Sequence, residues 1–376
     1  MKLLIELNAS TINAIRAQES LIANSAQAFL YDLARYFFRN SEHEVSLLSL
    51  EESELDSLNG IPFFVRPQMI NRGLPLVSRY VNRSRIKNSI GGADTVAILT
   101  SDIYALSKLK PLAEQLGAQI HYLMSEEDYA SIGHLRDERF ELLSNMLGLC
   151  NAVHVNSETQ RKLISTVFDL DAKVVPLGVE SCGSKVDLGG KKDLILWVGR
   201  SDESFQPWQF FDVARANPEY NFVMIVLPCQ KFGSQSCFDL YFKRVAASLE
   251  NLKVLDQGVC TNKVEELFES TKLIIDTSAL CYPRHITALA KGRTIPCLSF
   301  LKNSQENSIA TFQSSWNCTA ELNEMFNAAI AREANSSCQI DDRKERHDES
   351  YKIEDSAEVL TACILANSNS KCGKFV

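Results

Sequence analysis

Residues 199–206, GRSDESFQ, carry the first cluster in this chain whose types and spacing suit chemistry. They follow an apolar run, Leu194 to Val198, that predicts a fully buried strand. An amphipathic helix is predicted from about Pro207, with Trp208, Phe210, Phe211 and Val213 as its apolar residues. Proline suits the first turn of a helix, where its missing N–H would have had no partner. Arg200 therefore stands at the carboxyl end of a strand, just ahead of a helix amino terminus. Ligands of open α/β sheets bind at that edge, and a guanidinium beside helix amides suits a phosphate. The alternative is one more strand–turn–helix unit with a solvated arginine.

A second cluster lies between the predicted strand KLIIDTS and the predicted helix ITALAKG. The loop ALCYPRH carries Tyr282, Arg284 and His285, and Thr287 follows in the helix. Arg284 is placed ahead of the helix, where it could join helix amides in holding a phosphate. Lys291 and Arg293 fall near the helix carboxyl end, where a basic residue is favourable without any ligand. His285 reads either as a proton donor or sugar contact, or as a capping or packing residue.

The elements that must position these clusters alternate along the whole chain. Residues 2–7 predict a first strand, followed by a helix from about Ser20 with Leu21, Ile22, Phe29, Leu30, Leu33, Phe37 and Phe38 on one face, then a second strand in SEHEVSLLSL. DTVAILTS, AQIHYLM and AVHVNS predict further strands, and SEEDYASIG a polar loop at the carboxyl end of AQIHYLM. The helix 103–116 is predicted to be started or interrupted by Pro111, and a helix over 135–148 follows. Ser157 with Gln160 fits a capping box for the helix after AVHVNS. SCGSKVDLGGKKD, 181–193, reads as a linker. Strands NFVMIVLP, LKVLDQG, KLIIDTS and TIPCLSF then alternate with helices, and a last helix is predicted over about 357–365. The pattern predicts two doubly wound α/β domains facing each other across a cleft.

Length and composition agree with that division. A chain of 376 residues exceeds most single cores. A net charge of -8 argues against a nucleic-acid partner, whose binders are basic. The 11 cysteines all fall at Cys150 or later, without the paired spacing of a zinc site or disulfide framework, and read as reduced thiols of a cytoplasmic protein. The start MKLLIEL is too short an apolar run for a signal peptide or membrane span. Arg79, Arg83, Arg85 and Lys87 form a basic cluster that reads as a solvated helix face or as a peripheral contact with an anionic membrane surface.

The second half resembles the carboxyl-terminal domain of the GT-B nucleotide-sugar glycosyltransferases, specifically the large retaining family common in bacterial polysaccharide biosynthesis. The residues that carry the resemblance are AVHVNSETQRKL, VVPLGVE, LILWVGRSDESFQPWQFFDVARANPEYNFVMI and VEELFESTKLIIDTSALCYPRHITALAKGRTIPCLSF, in this order and spacing. It implies two Rossmann-like domains, 1–180 on the acceptor side and 181–350 for the nucleotide sugar, with 351–376 as a crossing helix and tail. It implies transfer of a sugar to a saccharide or lipid-linked acceptor, with no metal and no cofactor beyond the donor. Arg200 matches the arginine that touches the donor diphosphate, with Gly199, Ser201, Tyr282, Arg284, His285 and Thr287 around the donor. Glu126 or Glu127, at a strand's carboxyl end, would face the donor sugar; Ser125 or Glu126 would occupy the place of an expected histidine. His121, inside the strand, reads as structural.

Three departures qualify this resemblance. The family's lysine falls at Phe205, its paired glutamates at Ala279 and Thr287, and its glycine-rich turn at residues 8–19, which contain no glycine. Removing one donor from such a clamp costs about 2.7–4 kcal/mol of transition-state stabilisation. A catalytically inactive partner of another glycosyltransferase is therefore the alternative reading. A dinucleotide oxidoreductase is disfavoured, since no Gly-x-Gly-x-x-Gly follows a predicted strand.

Overall fold

The computed structural model describes residues 1–18, 25–50, 56–64, 75–132, 138–179, 193–200, 205–227, 244–255, 261–278, 285–293, 295–299, 319–336 and 352–372. The chain divides into two compact units. Met1–Arg16, Asn24–Gly178 and Ile353–Val376 belong to the first, and Ala17–Ala23 and Val179–Lys352 to the second.

The first unit is built on a parallel sheet. Strands β1 (Lys2–Glu6), β2 (Glu44–Leu48), β5 (Val96–Thr100), β6 (Gln119–Leu123), β7 (Ala152–Val155) and β8 (Lys173–Val174) lie in the order β2-β1-β5-β6-β7-β8. A small hairpin, β3 (Ser57–Leu58) with β4 (Ile61–Pro62), adjoins β2 through a parallel bridge between Leu47 and Phe63. Every residue of β1, β5 and β6 is buried. Strands covered on both faces carry unbroken apolar runs for this reason.

The connections are helical. Helix α1 (Ala9–Arg16) was not anticipated from the sequence, which predicts helix only from about Ser20. It forms because Asn8 caps it: the Thr11 amide donates to Asn8 Oδ1 at 2.8 Å. Helix α2 (Ser25–Asn40) buries Phe29, Leu30, Leu33 and Phe37, four of the face residues expected. Helices α3 (Pro75–Ser89) and α4 (Leu106–Leu116) follow. Pro111 neither starts nor breaks α4; it sits inside, and the turn closes on Gly117 in the left-handed region.

SEEDYASIG, expected as a loop, holds helix α5 (Glu126–Ile132). A reciprocal cap explains it: the Asp128 amide donates to Ser125 Oγ at 3.3 Å, and the Ser125 amide to Asp128 Oδ2 at 2.8 Å. Helix α6 (Glu138–Met146) lies within the predicted 135–148. Helix α7 (Glu158–Phe168) is capped by Ser157 as expected, although Gln160 accepts from the Asn156 amide.

The second unit repeats the plan. Strands β9 (Leu194–Arg200), β10 (Asn221–Leu227), β11 (Leu252–Leu255), β12 (Thr271–Asp276) and β13 (Cys297–Ser299) form a parallel sheet in the order β11-β10-β9-β12-β13. Period two divides β9 between two cores. Ile195 and Trp197 pack with Phe210, Phe222 and Phe326, whereas Leu194, Leu196 and Val198 pack with Phe268, Ile286 and Ala290. Helices α8 (Pro207–Ala216) and α11 (Thr319–Ser336) serve the first face, and α9 (Thr261–Ser270) and α10 (His285–Gly292) the second.

Helix α12 (Ile353–Cys372) is longer than the predicted 357–365 and belongs to the first unit. Ile353, Ala357, Leu360 and Ile364 are its buried face, and Ser356 Oγ donates to the Pro176 carbonyl at 2.7 Å.

Candidate functional site

In each sheet the chain changes direction beside its first strand. β1 pairs with β2 on one side and β5 on the other, and β9 pairs with β10 and β12 in the same way. Such switch points open crevices at the carboxyl ends of the strands, where ligands of α/β sheets sit.

At the second sheet, that edge carries Gly199 and Arg200 from β9 and Asp276, Thr277 and Ser278 from the end of β12. Gly199 is required by packing. A Cβ there would lie 2.6 Å from the Trp197 ring and 2.8 Å from the Phe205 ring. Phe205 is 3% exposed and belongs to the core. The Arg200 guanidinium lies over its ring, 5.9 Å from the centroid. Thr277 ties the two strands together: Trp197 Nε1 donates to its hydroxyl at 2.8 Å, and that hydroxyl donates to the Phe205 carbonyl at 2.6 Å. Asp276 is buried and accepts from the Ser278 amide at 3.1 Å.

Gly199 and Arg200 are thus brought to one edge. Thr287 lies in α10 and is buried. His285 opens that helix. Ser201, Ala279, Tyr282 and Arg284 lie outside the described residues, as do the side chains of His285 and Lys291. Arg293 is placed with its guanidinium over the Phe268 ring at 4.7 Å, a packing contact that agrees with its reading as a helix-end residue. Sequence reasoning passed over Asp276, Thr277 and Ser278. Their signal was available, three polar residues directly after the buried run LII.

The carboxyl edge of the first sheet holds a different set. Glu6, the last residue of β1, is 1% exposed, and Thr100 Oγ1 at the end of β5 donates to its Oε2 at 2.9 Å. Burial, reinforced by the charge of Asp102, pushes the Glu6 carboxyl up to about 7 against hydrogen bonds from Thr100 and Gln27. Asp102 is also raised, mainly by burial, although the Tyr104 amide caps it at 2.9 Å.

Of the three acids in SEED, Glu126 is the first residue of α5 and half-buried. Glu127 pairs with Arg139 at 3.3 Å. Asp128 is the buried one: it accepts from Tyr122 Oη at 2.7 Å and Arg139 Nε at 2.9 Å. Burial works against the Arg139 charge, but Asp128 and its neighbours outweigh it and raise its pKa. His121 is structural, as read: it is fully buried and stacked on His154.

Among the described residues, no group of three or more His, Cys, Asp or Glu could hold a metal ion. Asp169-Leu170-Asp171 has the Asp-x-Asp spacing, yet Asp169 terminates α7 in the left-handed region and Asp171 pairs with Lys173.

Three solved structures share this architecture. A glycosyltransferase from Rickettsia africae is 12% identical, with 97% of this chain and 98% of that one covered at a TM-score of 0.60. Sucrose-phosphate synthase from Thermosynechococcus elongatus is 10% identical, with 97% and 98% covered at 0.65. HepE from Anabaena, solved with UDP-glucose, is 13% identical, with 97% and 100% covered at 0.64. The fold is GT-B. No protein-family model matches the sequence, and no curated protein matches it. The GT-B assignment confirms the architecture expected from the sequence and identifies the two parallel sheets as its two Rossmann-like units. At these identities the similarity describes fold, and a GT-B chain's activity depends on its own site residues.

Proposed function

We propose that this GT-B chain is a glycosyltransferase that moves a sugar from a nucleotide-sugar donor to a saccharide or lipid-linked acceptor. The observation that carries the reading is Arg200, placed at the end of β9 beside the Thr277–Ser278 end of β12. A guanidinium there offers paired, permanently charged donors to a phosphate. In this reading Arg200 holds the donor phosphates, with Gly199, Ser201, Tyr282, Arg284, His285 and Thr287 about the donor and Glu126 as the second catalytic residue, facing the donor sugar. Transfer proceeds with retention and without a metal, by positioning and by stabilising the departing diphosphate. The bound UDP-glucose of HepE supports a nucleotide sugar as the donor class.

Arg83, Arg85 and Lys87 are exposed on α3, which supports a peripheral contact with anionic lipid by a cytoplasmic protein. Arg79 shares the helix. No helix among the described residues is long and apolar enough to cross a membrane.

The test is thermal unfolding against UDP, GDP, ADP, CMP and dTDP and their sugars. A ligand at about 100 times its dissociation constant stabilises by about 2.7 kcal/mol. At about 2–4 °C per kcal/mol, the melting point rises by several degrees. A rise with one nucleotide that Arg200→Ala greatly reduces supports the reading. The second reading, an inactive partner of another glycosyltransferase, is favoured by the burial of Phe205 where a lysine is expected. No rise with any nucleotide selects it.

A further inference from the structure

We infer that Thr277 is a positioning residue for the candidate donor site, fixing the Arg200 guanidinium through Phe205. The inference rests on the reading of Arg200 as the phosphate ligand and adds what holds it in place.

Three observations meet here. The Thr277 hydroxyl is fully buried between two strands and saturated in a directed way, accepting from Trp197 Nε1 at 2.8 Å and donating to the Phe205 carbonyl at 2.6 Å. Phe205 is a core residue of the second unit. Its ring and that of Trp197 occupy the place a side chain at Gly199 would need, and the same Phe205 ring lies under Arg200. One hydroxyl thus ties Trp197 of β9 to the Phe205 carbonyl, and it comes from the strand across the switch point.

The arrangement assigns Phe205 a purpose other than the charge of a lysine. An arginine side chain loses conformational freedom when it binds a phosphate, and a platform that orients it beforehand lowers that loss. The aromatic ring is such a platform, since a guanidinium stacks favourably on it. The hydrogen bond from Thr277 to the Phe205 carbonyl fixes the backbone from which that ring is held, alongside the ring's own packing in the core.

The experiment is a double-mutant cycle on nucleotide affinity, run with whichever nucleotide stabilises the wild-type chain. Thr277→Val keeps the volume and removes both hydrogen bonds; Thr277→Ser keeps both. Melting of the nucleotide-free proteins reports folding separately. The inference expects Thr277→Val to weaken binding by about five- to thirtyfold, the upper range of a guanidinium–aromatic contact. It expects Thr277→Ser to restore binding to within about threefold. In the Arg200→Ala background Thr277→Val should cost nothing further, because the positioned group is gone. Wild-type affinity in a folded Thr277→Val protein overturns the inference and leaves the donor site standing. So does an equal loss with and without Arg200. Failure of the wild-type chain to bind any nucleotide overturns the donor site itself and the positioning role with it.

Discussion

His154 lies stacked on His121, with ring centroids 5.2 Å apart and its Nε2 2.9 Å from His121 Nδ1. The neighbours fix where the protons sit. Gln119 Nε2 donates to Ser368 Oγ on α12 at 2.7 Å, so Gln119 Oε1, 3.1 Å from His121 Nε2, must accept. His121 therefore carries its proton on Nε2 and accepts on Nδ1 from His154 Nε2–H. The chain of bonds ends at His154 Nδ1, a buried acceptor with no protein partner. The two histidines line a small cavity together with Phe29, Leu30, Leu99, Val175 and Leu360.

That nitrogen is where a proton must add on acidification. Burial, with Lys173 as a lesser cause, pushes His154 down to about 4 from an ordinary 6.5. A depressed histidine favours the folded state above about pH 6.5, and the benefit is lost as pH falls towards 4. The gap corresponds to about 3 kcal/mol. Between pH 7.5 and pH 4, urea unfolding should show wild type losing stability relative to His154→Gln by that order, because the variant keeps a donor and cannot titrate, while the opposite contribution of Glu6 is common to both. Equal losses in both proteins would exclude this histidine as the cause.

Glu6 runs in the opposite direction. Its carboxyl is raised from 4.5 to about 7, so its contribution is present below about pH 4.5 and lost as pH rises through 7. Glu6→Gln can still accept from Thr100 and carries no charge to desolvate. The variant should be more stable than wild type at pH 8 by up to about 3 kcal/mol, and the gain should shrink at pH 4.5. A gain of the same size at both values would show that charge is not its origin.

The contrast between Glu6 and Asp128 explains what was legible in the sequence. The strands and most helices were, because LILWV, VAILT and the face of α2 record their surroundings locally. Glu6 was not: in MKLLIEL it is the polar residue that ends an apolar run, and its character comes from Thr100 and Asp102, distant in sequence. In SEED the sequence offered three acids and no reason to choose, and only the fold puts Asp128 inside against Tyr122 and Arg139. Arg200 was legible as the residue after a buried strand. Thr277 was not, since its partners Trp197 and Phe205 belong to another strand and another loop.

Among the described residues, Arg139 is the cation paired with the fully buried Asp128 side chain, at 2.7 Å from Nη2. Removing it leaves a carboxylate uncompensated inside the first unit, which costs about 3–5 kcal/mol. Arg139→Met should therefore lower the urea midpoint strongly at pH 7, and adding Asp128→Asn should recover part of the loss. No recovery in the double variant would place the effect in the stacking of the arginine guanidinium over Tyr104.

Phe205→Lys tests whether restoring the family's residue type restores its chemistry. The ring is almost wholly buried and contacts the space above Gly199, so a lysine there must desolvate its ammonium or leave the core empty. Losing a buried phenylalanine costs about 3–5 kcal/mol. At about 2–4 °C per kcal/mol, the melting point should fall by several degrees at least. The platform beneath Arg200 goes with the ring, so nucleotide binding should weaken although a positive charge has been added. Tighter binding by Phe205→Lys would mean that the lysine reaches the ligand from this position. It would also mean that charge, more than the orientation of Arg200, limits the wild-type site.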